Sequence, residues 1–363
     1  MIEVKHLQLD KTKRSIVISD IHANLQLFKR LLDKIQYTYE DYLFINGDLC
    51  EKGPASLEVV KYVRSMSEES TNVFITKGNC DVVFRHVYSG DEGVISYMNR
   101  RKDSVLNEML SMYGKSLDDF FDLQELAHFY RHYFSDELDW LEALPIAFET
   151  DDFIIIHAGI ENIEDWKLTD EQFALSAPAF YEKEHQANKK VIVGHWPVVN
   201  YRAKQISSHN PLIDLEKRVI ALDGGNQIKV DGQLNALIIE NDTYTFTFVD
   251  ELTHEIIVKH DHLDSTKRIG TVTYPNYQMT VIKQEQFFTL CENSNLGIHQ
   301  WIKNEYLFAE DKQSCCKDDL STTFLSVKKG EKVFIIDDTC LGYTLIKINT
   351  GEVGWIPTRC LNS

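Results

Sequence analysis

Between Lys11 and about Glu251 the chain alternates short, unbroken apolar runs with clusters of polar residues. The runs are SIVISDIH, DYLFINGDLC, NVFITKGNCD, DFIIIHAGI, KVIVGHWP and RVIALDGG, followed by LNALIIEND and YTFTFVDE. Their β-branched and aromatic content, with turn formers just beyond, predicts interior β-strands. Helix-period patterns over Leu25 to Ile35 and Ser56 to Met66 separate the first three, the mark of βαβ units in an α/β fold. The later runs follow one another with less helix between them, which predicts a mixed sheet or two packed sheets. From Val82 to Leu144 the period lengthens. Leu106, Met109, Leu110 and Tyr113 recur every three or four residues, as on long amphipathic helix.

Beyond about Leu252 the helical signal fades into short strands and turns. In LSVKKGEKVFIIDDTCLGYTLIKINTGEVGWIP, Val333 to Ile336 and Tyr343 to Ile348 read as strands and NTG as the turn of a hairpin. The pattern divides the chain into a domain over 1–251 with a helical insertion at 82–145, a connecting segment at 252–278, and a small β domain at 279–363. A length of 363 residues suits two domains or three.

Charge narrows the functional classes. A formal net charge of −18 repels phosphate backbones and anionic lipid, so neither nonspecific nucleic-acid binding nor membrane binding is expected. An anionic substrate would need positive charge supplied locally. The stretch MIEVKHLQLDKTKRS holds no apolar run of signal-peptide length, which leads to the expectation of a cytoplasmic chain. Seven scattered cysteines are expected as reduced thiols, and the adjacent Cys315 and Cys316 lack the spacing of a zinc site.

The chemistry gathers at strand ends. Asp20 and His22 close the first run, Asp48 the second, Asn79 the third, and His157 and His195 two later ones. Sheets of this class build ligand sites where such ends converge. Two Asp, three His and one Asn form an oxygen and nitrogen donor set suited to Mn²⁺, Fe²⁺ or Zn²⁺. Six donors exceed the need of one open catalytic ion, and a bridging carboxylate, most simply Asp48, would hold two. Taken singly, Asp20 and His22 also fit a helix cap and a surface residue. His128 and His132, four apart in AHFYRHYF, lack the Glu of a zinc-peptidase motif and have aromatic neighbours, so a packed helix face is expected there.

The series D-x-H, G-D, G-N, H-A-G and G-H, in this order over about Lys11 to Glu251, resembles the calcineurin-like metallophosphoesterases. GDLCEKGP, HAGI and GHWP look more like the phosphoprotein phosphatase branch and the bacterial diadenosine tetraphosphate hydrolases than like the nucleases. The resemblance implies an α/β/β/α sandwich. It also implies a first metal held by Asp20, His22 and Asp48, and a second by Asp48, Asn79, His157 and His195. Trp196 stands where nuclease-like relatives often carry another His. Lys52 falls where the family motif usually has Arg to bind phosphate, and Glu51 replaces the usual Asp. Lys77 also stands at a common Arg position, and lysine at either place fits a plain surface residue as well. Relatives often read Gly-Asn-His and then an acid, that His helping to protonate the leaving group. Here GNCD places Cys80 there, followed by Asp81, and Cys80 reads either as a substitute proton donor or as packing behind Asn79. Arg85 and His86 lie close by. Asp223, in VIALDGGN, is expected to support the ligands rather than join them. The KGEKV and GEVGWIP pieces resemble bacterial SH3-like domains, a small β-barrel that would bind a peptide or protein partner.

The sequence thus predicts hydrolysis of phosphate esters by a water activated at two divalent cations, Mn²⁺ first among them. The first reading is a phosphomonoesterase like the serine/threonine protein phosphatases, acting on phosphoprotein or a small phosphorylated molecule. The alternatives are a dinucleoside polyphosphate hydrolase or phosphodiesterase, and a binding module with a degenerate metal site.

Overall fold

The computed structural model describes residues 1–310 and 313–362, and the chain divides into two compact units. The first contains 1–196, 211–228 and 233–249. Its strands are β1 (Val4–His6), β2 (Ser15–Ile18), β3 (Tyr42–Asn46), β4 (Val73–Thr76), β5 (Ala147–Glu149), β6 (Phe153–Ile156), β7 (Lys190–Val193), β8 (Leu212–Asp214), β9 (Val219–Ala221), β10 (Gln233–Glu240) and β11 (Thr243–Asp250). They form two sheets, in the orders β1-β5-β6-β7-β9-β8 and β11-β10-β2-β3-β4. β2, β3 and β4 run parallel, as do β6, β7 and β9, while β10 meets β2 antiparallel. The mixed α/β architecture is therefore present, as two packed sheets.

Alternation along each strand explains the packing. Val17, Phe44 and Leu237 of one sheet meet Phe148, Phe153, Ile155, Ile192 and Ile220 of the other in a single core. Phe44 stacks on Phe74 at 4.9 Å and meets Phe153 edge-on at 5.9 Å. The alternate residues Ile16, Ile18, Leu43 and Ile45 are also fully buried, so these strands are apolar throughout. Helices α1 (Leu25–Lys34) and α2 (Ser56–Glu69) pack on the second sheet, against β10 and β4. α1 starts where the Asn24 side chain accepts from Leu27 N, and it buries Leu27, Phe28 and Leu31 on one face. Each such side chain contributes about 1.5–3 kcal/mol, and Leu31→Ala would cost roughly 2–5 kcal/mol.

The insertion is five short helices rather than a long one: α3 (Phe84–Ser89), α4 (Gly93–Arg100), α5 (Val105–Ser111), α6 (Leu123–Tyr133) and α7 (Ser135–Glu142). Gly90 ends α3 in the left-handed region, and the side chains of Ser104 and Asp122 cap fresh starts at α5 and α6. Leu106, Met109 and Leu110 are buried as their spacing predicts, but Tyr113 lies beyond the end of α5 and is 47% exposed. On α6 the packed face is Leu126, Ala127, Phe129 and Tyr130. His128 and His132 are exposed, their rings 6.5 Å apart, which corrects the expected packed face. A further short helix, α8 (Glu171–Ser176), follows β6.

The second unit contains 197–210, 229–232 and the chain from Asp250 onward. Its strands are β12 (Glu255–Ile257), β13 (Thr271–Val272), β14 (Gln278–Gln284), β15 (Phe288–Asn293), β16 (Ile298–Lys303), β17 (Leu307–Glu310), β18 (Gln313–Cys316), β19 (Leu320–Ser321), β20 (Lys332–Asp337), β21 (Tyr343–Ile348) and β22 (Val353–Pro357). They form open sheets in the orders β12-β20-β21-β22, β13-β19 and β16-β15-β14-β18-β17. The expected hairpin joins β21 to β22, with Gly351 N donating to Ile348 O. The expected SH3-like barrel is not found: no sheet closes among the described residues. Trp355 is fully buried in one of two cores and donates from Nε1 to Ser321 O. All seven cysteines are free. No helix among the described residues is long and apolar enough to cross a membrane.

Candidate metal centre

The ends of β2, β3, β4, β6 and β7 bring all six predicted donors to one place. His157 Nε2 lies 3.3 Å from Asp48 Oδ1 and 3.1 Å from Asn79 Oδ1, and His195 Nδ1 lies 2.9 Å from Asn79 Oδ1. His22 Nε2 stands 3.7 Å from Asp48 Oδ2 and 3.8 Å from Asp20 Oδ1. Two groups of donors result, His22 with Asp48 and Cys80, and Asp48 with His157 and His195. Asp48 belongs to both.

The hydrogen bonds behind these rings fix which nitrogen faces inward. His157 Nδ1 meets Asn46 O at 2.9 Å and His22 Nδ1 meets Cys50 O at 3.2 Å. In the neutral rings Nδ1 therefore carries the proton, and each Nε2 turns a lone pair toward carboxylate oxygen. Acceptors facing acceptors at these distances call for a cation between them. The Asn79 amide does not decide the matter, because turned over it would donate to both His157 and His195. The Asp48 carboxylate has no such choice. Burial holds His22 down to about 3 and His195 to about 4, so protonated imidazolium is disfavoured at both. Burial first, then Asp223 and Asp48, pushes Asp20 well above the usual carboxylate range. Asp223 is fully buried, accepts at Oδ1 from Gly225 N at 2.7 Å and leaves Oδ2 without a hydrogen bond. Against these three buried carboxylates stands the Lys52 ammonium, 3.4 Å from His22 Nε2. Burial works against its charge, but Cys80, Asp48, Asp223 and Asp20 outweigh it and raise its pKa. The donor set thus fits two divalent cations, and Lys52 already points a positive charge at one of their places.

The backbone is bent to make this arrangement. Asp20, His22, Asp48 and His195 all have φ between +47° and +65°, and Glu51 and Lys52 follow at +72° and +69°. Close approach demands glycine elsewhere: a Cβ on Gly78 would stand 2.3 Å from Asp48 Oδ1, and one on Gly194 2.2 Å from Asp20 Oδ2. His195 N donates to both oxygens of Asp20, at 3.2 and 3.1 Å.

The remaining predicted residues take different places. Asp81 spends its carboxylate on backbone, accepting from Asp48 N, Leu49 N, Cys50 N and Gly78 N at 2.8–3.2 Å. Asp81, the acid that follows Cys80 in the motif and a candidate catalytic residue, is therefore placed as a brace between two loops. Burial first, then Asp48, lifts it to about 7. Glu51 is 0% exposed and holds the insertion to the loop: it accepts from Val105 N at 2.7 Å and from the Tyr97 hydroxyl. Its own N–H donates to Ser56 Oγ, and Glu108 caps α2 through Ser56 N and Leu57 N. Tyr97 and Glu108 carried no sequence signal, since their partners lie some fifty residues away. Lys77 is buried and faces Glu142 at 3.7 Å, so it is neither a surface residue nor a group in the cleft.

A cleft of about 700 Å³ opens beside Lys52, Asn79 and Cys80. Val82, Val83, Val94, Tyr97 and Leu175 give it an apolar wall, and Arg85 and His86 lie at it too. Arg85 is committed to Glu142 and Glu171, at 2.9 and 2.8 Å, and His86 Nδ1 to Asp91 at 2.9 Å.

A family model described as calcineurin-like phosphoesterase matches residues 13–222, more than half of the chain. The chain belongs to the calcineurin-like phosphoesterases. These are metal-dependent hydrolases, and the matched region carries all six donors. Among curated relatives, the symmetrical bis(5'-nucleosyl)-tetraphosphatase of Buchnera aphidicola is 39% identical over 95 residues, 26% of this chain and 31% of that one. The enzyme of the same name from Pectobacterium atrosepticum is 32% identical over 147 residues, 40% and 42% of the two chains. The chain thus spans less than half the length of either relative. A solved putative diadenosine tetraphosphatase aligns at TM-score 0.46 and 16% identity over 69% of this phosphoesterase and 100% of that chain, a likeness too loose to argue from.

Proposed function

We propose that the chain hydrolyses phosphoanhydride or phosphate-ester bonds at a pair of divalent cations, with dinucleoside polyphosphates as its substrate class. The observation that carries the reaction type is Asp48 standing in both donor groups, each completed by buried imidazole. Asp20, His22 and Asp48 would hold one ion, and Asp48, Asn79, His157 and His195 the other. When bound, such a pair supplies an acidified water and charge against the phosphoryl oxygens. Lys52 supplies a further point charge beside the cleft, where a phosphate can meet it without the forked grip of an arginine. The braced loops under Asp81 hold the donors in place, so little reorganisation accompanies reaction.

Two observations favour the dinucleotide over the phosphoprotein. The curated relatives described above are named as tetraphosphatases. The cleft carries valines and Tyr97 on its wall, apolar groups that can cover the face of a nucleobase. The phosphatase-like reading that the sequence put first is supported less. A degenerate binding module is disfavoured because every donor is present and turned inward.

The test compares diadenosine tetraphosphate, p-nitrophenyl phosphate, bis-p-nitrophenyl phosphate and a phosphothreonine peptide, using metal-stripped protein with and without added Mn²⁺. Metal-dependent turnover led by the dinucleotide is expected. Preference for the phosphopeptide would restore the phosphatase reading, and no turnover of any substrate with metal verified as bound would remove the enzyme reading.

A further inference from the structure

We propose that Cys80 is itself a metal ligand, its sulfur joining His22 and Asp48 around the first cation, so that the two ions sit in chemically different sites. The inference rests on the two-cation reading above and adds to it a donor that the sequence offered only as an acid or as packing. Three observations carry it.

The ligand atoms of His22, Asp48 and Cys80 all lie within 4.8 Å of one another. Metal–sulfur and metal–nitrogen bonds of about 2.3 and 2.0–2.1 Å would draw such atoms around one ion with small shifts. Cys80 is also fixed to the carboxylate that both sites share, because its backbone N–H donates to Asp48 Oδ1 at 2.8 Å. Finally, the thiol is only 4% exposed and faces the donors, with Asn79 Nδ2 3.5 Å from Sγ. Cys80 lies at the edge of the cleft, and its Sγ stands among the ligand atoms of His22 and Asp48, well placed to bind what they bind.

The consequence is selectivity. One site keeps oxygen and nitrogen donors only, while the other gains a soft one, and sulfur favours Zn²⁺, Fe²⁺ or Co²⁺ over Mn²⁺.

Cobalt tests this directly. Metal-stripped protein is titrated with Co²⁺ under reducing conditions while the visible d–d bands and the near-ultraviolet sulfur-to-cobalt charge-transfer band are recorded. The expected result is a charge-transfer band that saturates with one ion, is absent in Cys80→Ser, and persists in Cys50→Ser, whose buried thiol is the neighbouring control. The preference for Zn²⁺ over Mn²⁺ should fall at least about tenfold in Cys80→Ser. Because the variant could misfold, X-ray absorption of the Zn²⁺-loaded native protein gives an independent reading, a sulfur scatterer at about 2.3 Å. Cobalt bound with d–d bands but no charge-transfer band, or zinc with nitrogen and oxygen neighbours alone, overturns the Cys80 assignment and leaves the two-cation reading standing. Absence of any bound metal by elemental analysis overturns both.

Discussion

The two units turn their chains by different means. In the second, the described left-handed residues are Gly270, Gly297, Gly330, Gly342 and Gly351, with Lys267 as the one exception. These are turns that join strands, and glycine takes them at little steric cost. Beside Gly47, the left-handed residues of the first unit at the strand ends nearest the proposed metal centre include Asp20, His22, Ala23, Asp48, Glu51, Lys52 and His195. Each carries a side chain into a conformation that costs of order 1 kcal/mol, and four of them are proposed metal donors. Where a turn only has to turn, glycine suffices. Where it has to aim a carboxylate or an imidazole, the strain is kept and the surrounding packing holds it.

That contrast can be broken at both ends. The largest effect is expected from Asp48→Asn, which removes the shared carboxylate. Turnover should fall at least about a thousandfold, some 4 kcal/mol of transition-state stabilisation, with bound metal lost in elemental analysis. Retention of both ions would remove Asp48 as the bridge.

Glu51 gives the next effect. Burial raises its pKa from near 4.5 to about 7, so the fold favours the neutral acid while the unfolded chain ionises first. Stability from this group is present below pH 4.5 and is lost as pH rises through 7, by up to about 3 kcal/mol. Urea unfolding of the metal-free protein and of Glu51→Gln across that window should give curves that diverge. Parallel curves would mean that Glu51 enters the fold already ionised.

In the second unit, Gly351→Ala should cost about 2 kcal/mol, because φ is +97° and the new Cβ would stand 2.3 Å from Asn210 Oδ1. An unchanged denaturation midpoint would show that this turn can be rebuilt without glycine. The smallest stability effect belongs to Lys52→Gly. Relief of its left-handed backbone, about 1 kcal/mol, is set against loss of the ammonium that faces Asp20, Asp48 and Asp223, so the net change in stability of the metal-loaded protein should be small while turnover falls. A variant destabilised and fully active would reverse the lesson of the comparison.

Much of the first unit was legible because its signals are local. Ile16, Val17 and Ile18 mark a strand by their neighbours alone, and Asp20 and His22 follow at its end. The same logic places Asp48, Asn79, His157 and His195, and the structure brings these donors together. What the sequence left open depends on distant partners. Nothing near Asp81 announces that its oxygens would be taken by amides of residues 48–50. Nor does a run of amphipathic residues reveal five helices, since capping by Ser104 and Asp122 cuts the pattern without disturbing its period. The Glu51–Tyr97 contact spans 46 positions and a change of element. In the second unit the strands and the NTG turn were readable, but sheet closure depends on which edges meet, and alternation along a strand carries no information about that.

Four amides converge on Asp81, and none of them belongs to a metal ion. A cradle fastened by its own backbone does not wait for its cargo. The bonds that fix Asp81 need no ion, so this part of the cradle can form before any ion arrives. Filling then comes second, and the donors rather than the fold choose the ion.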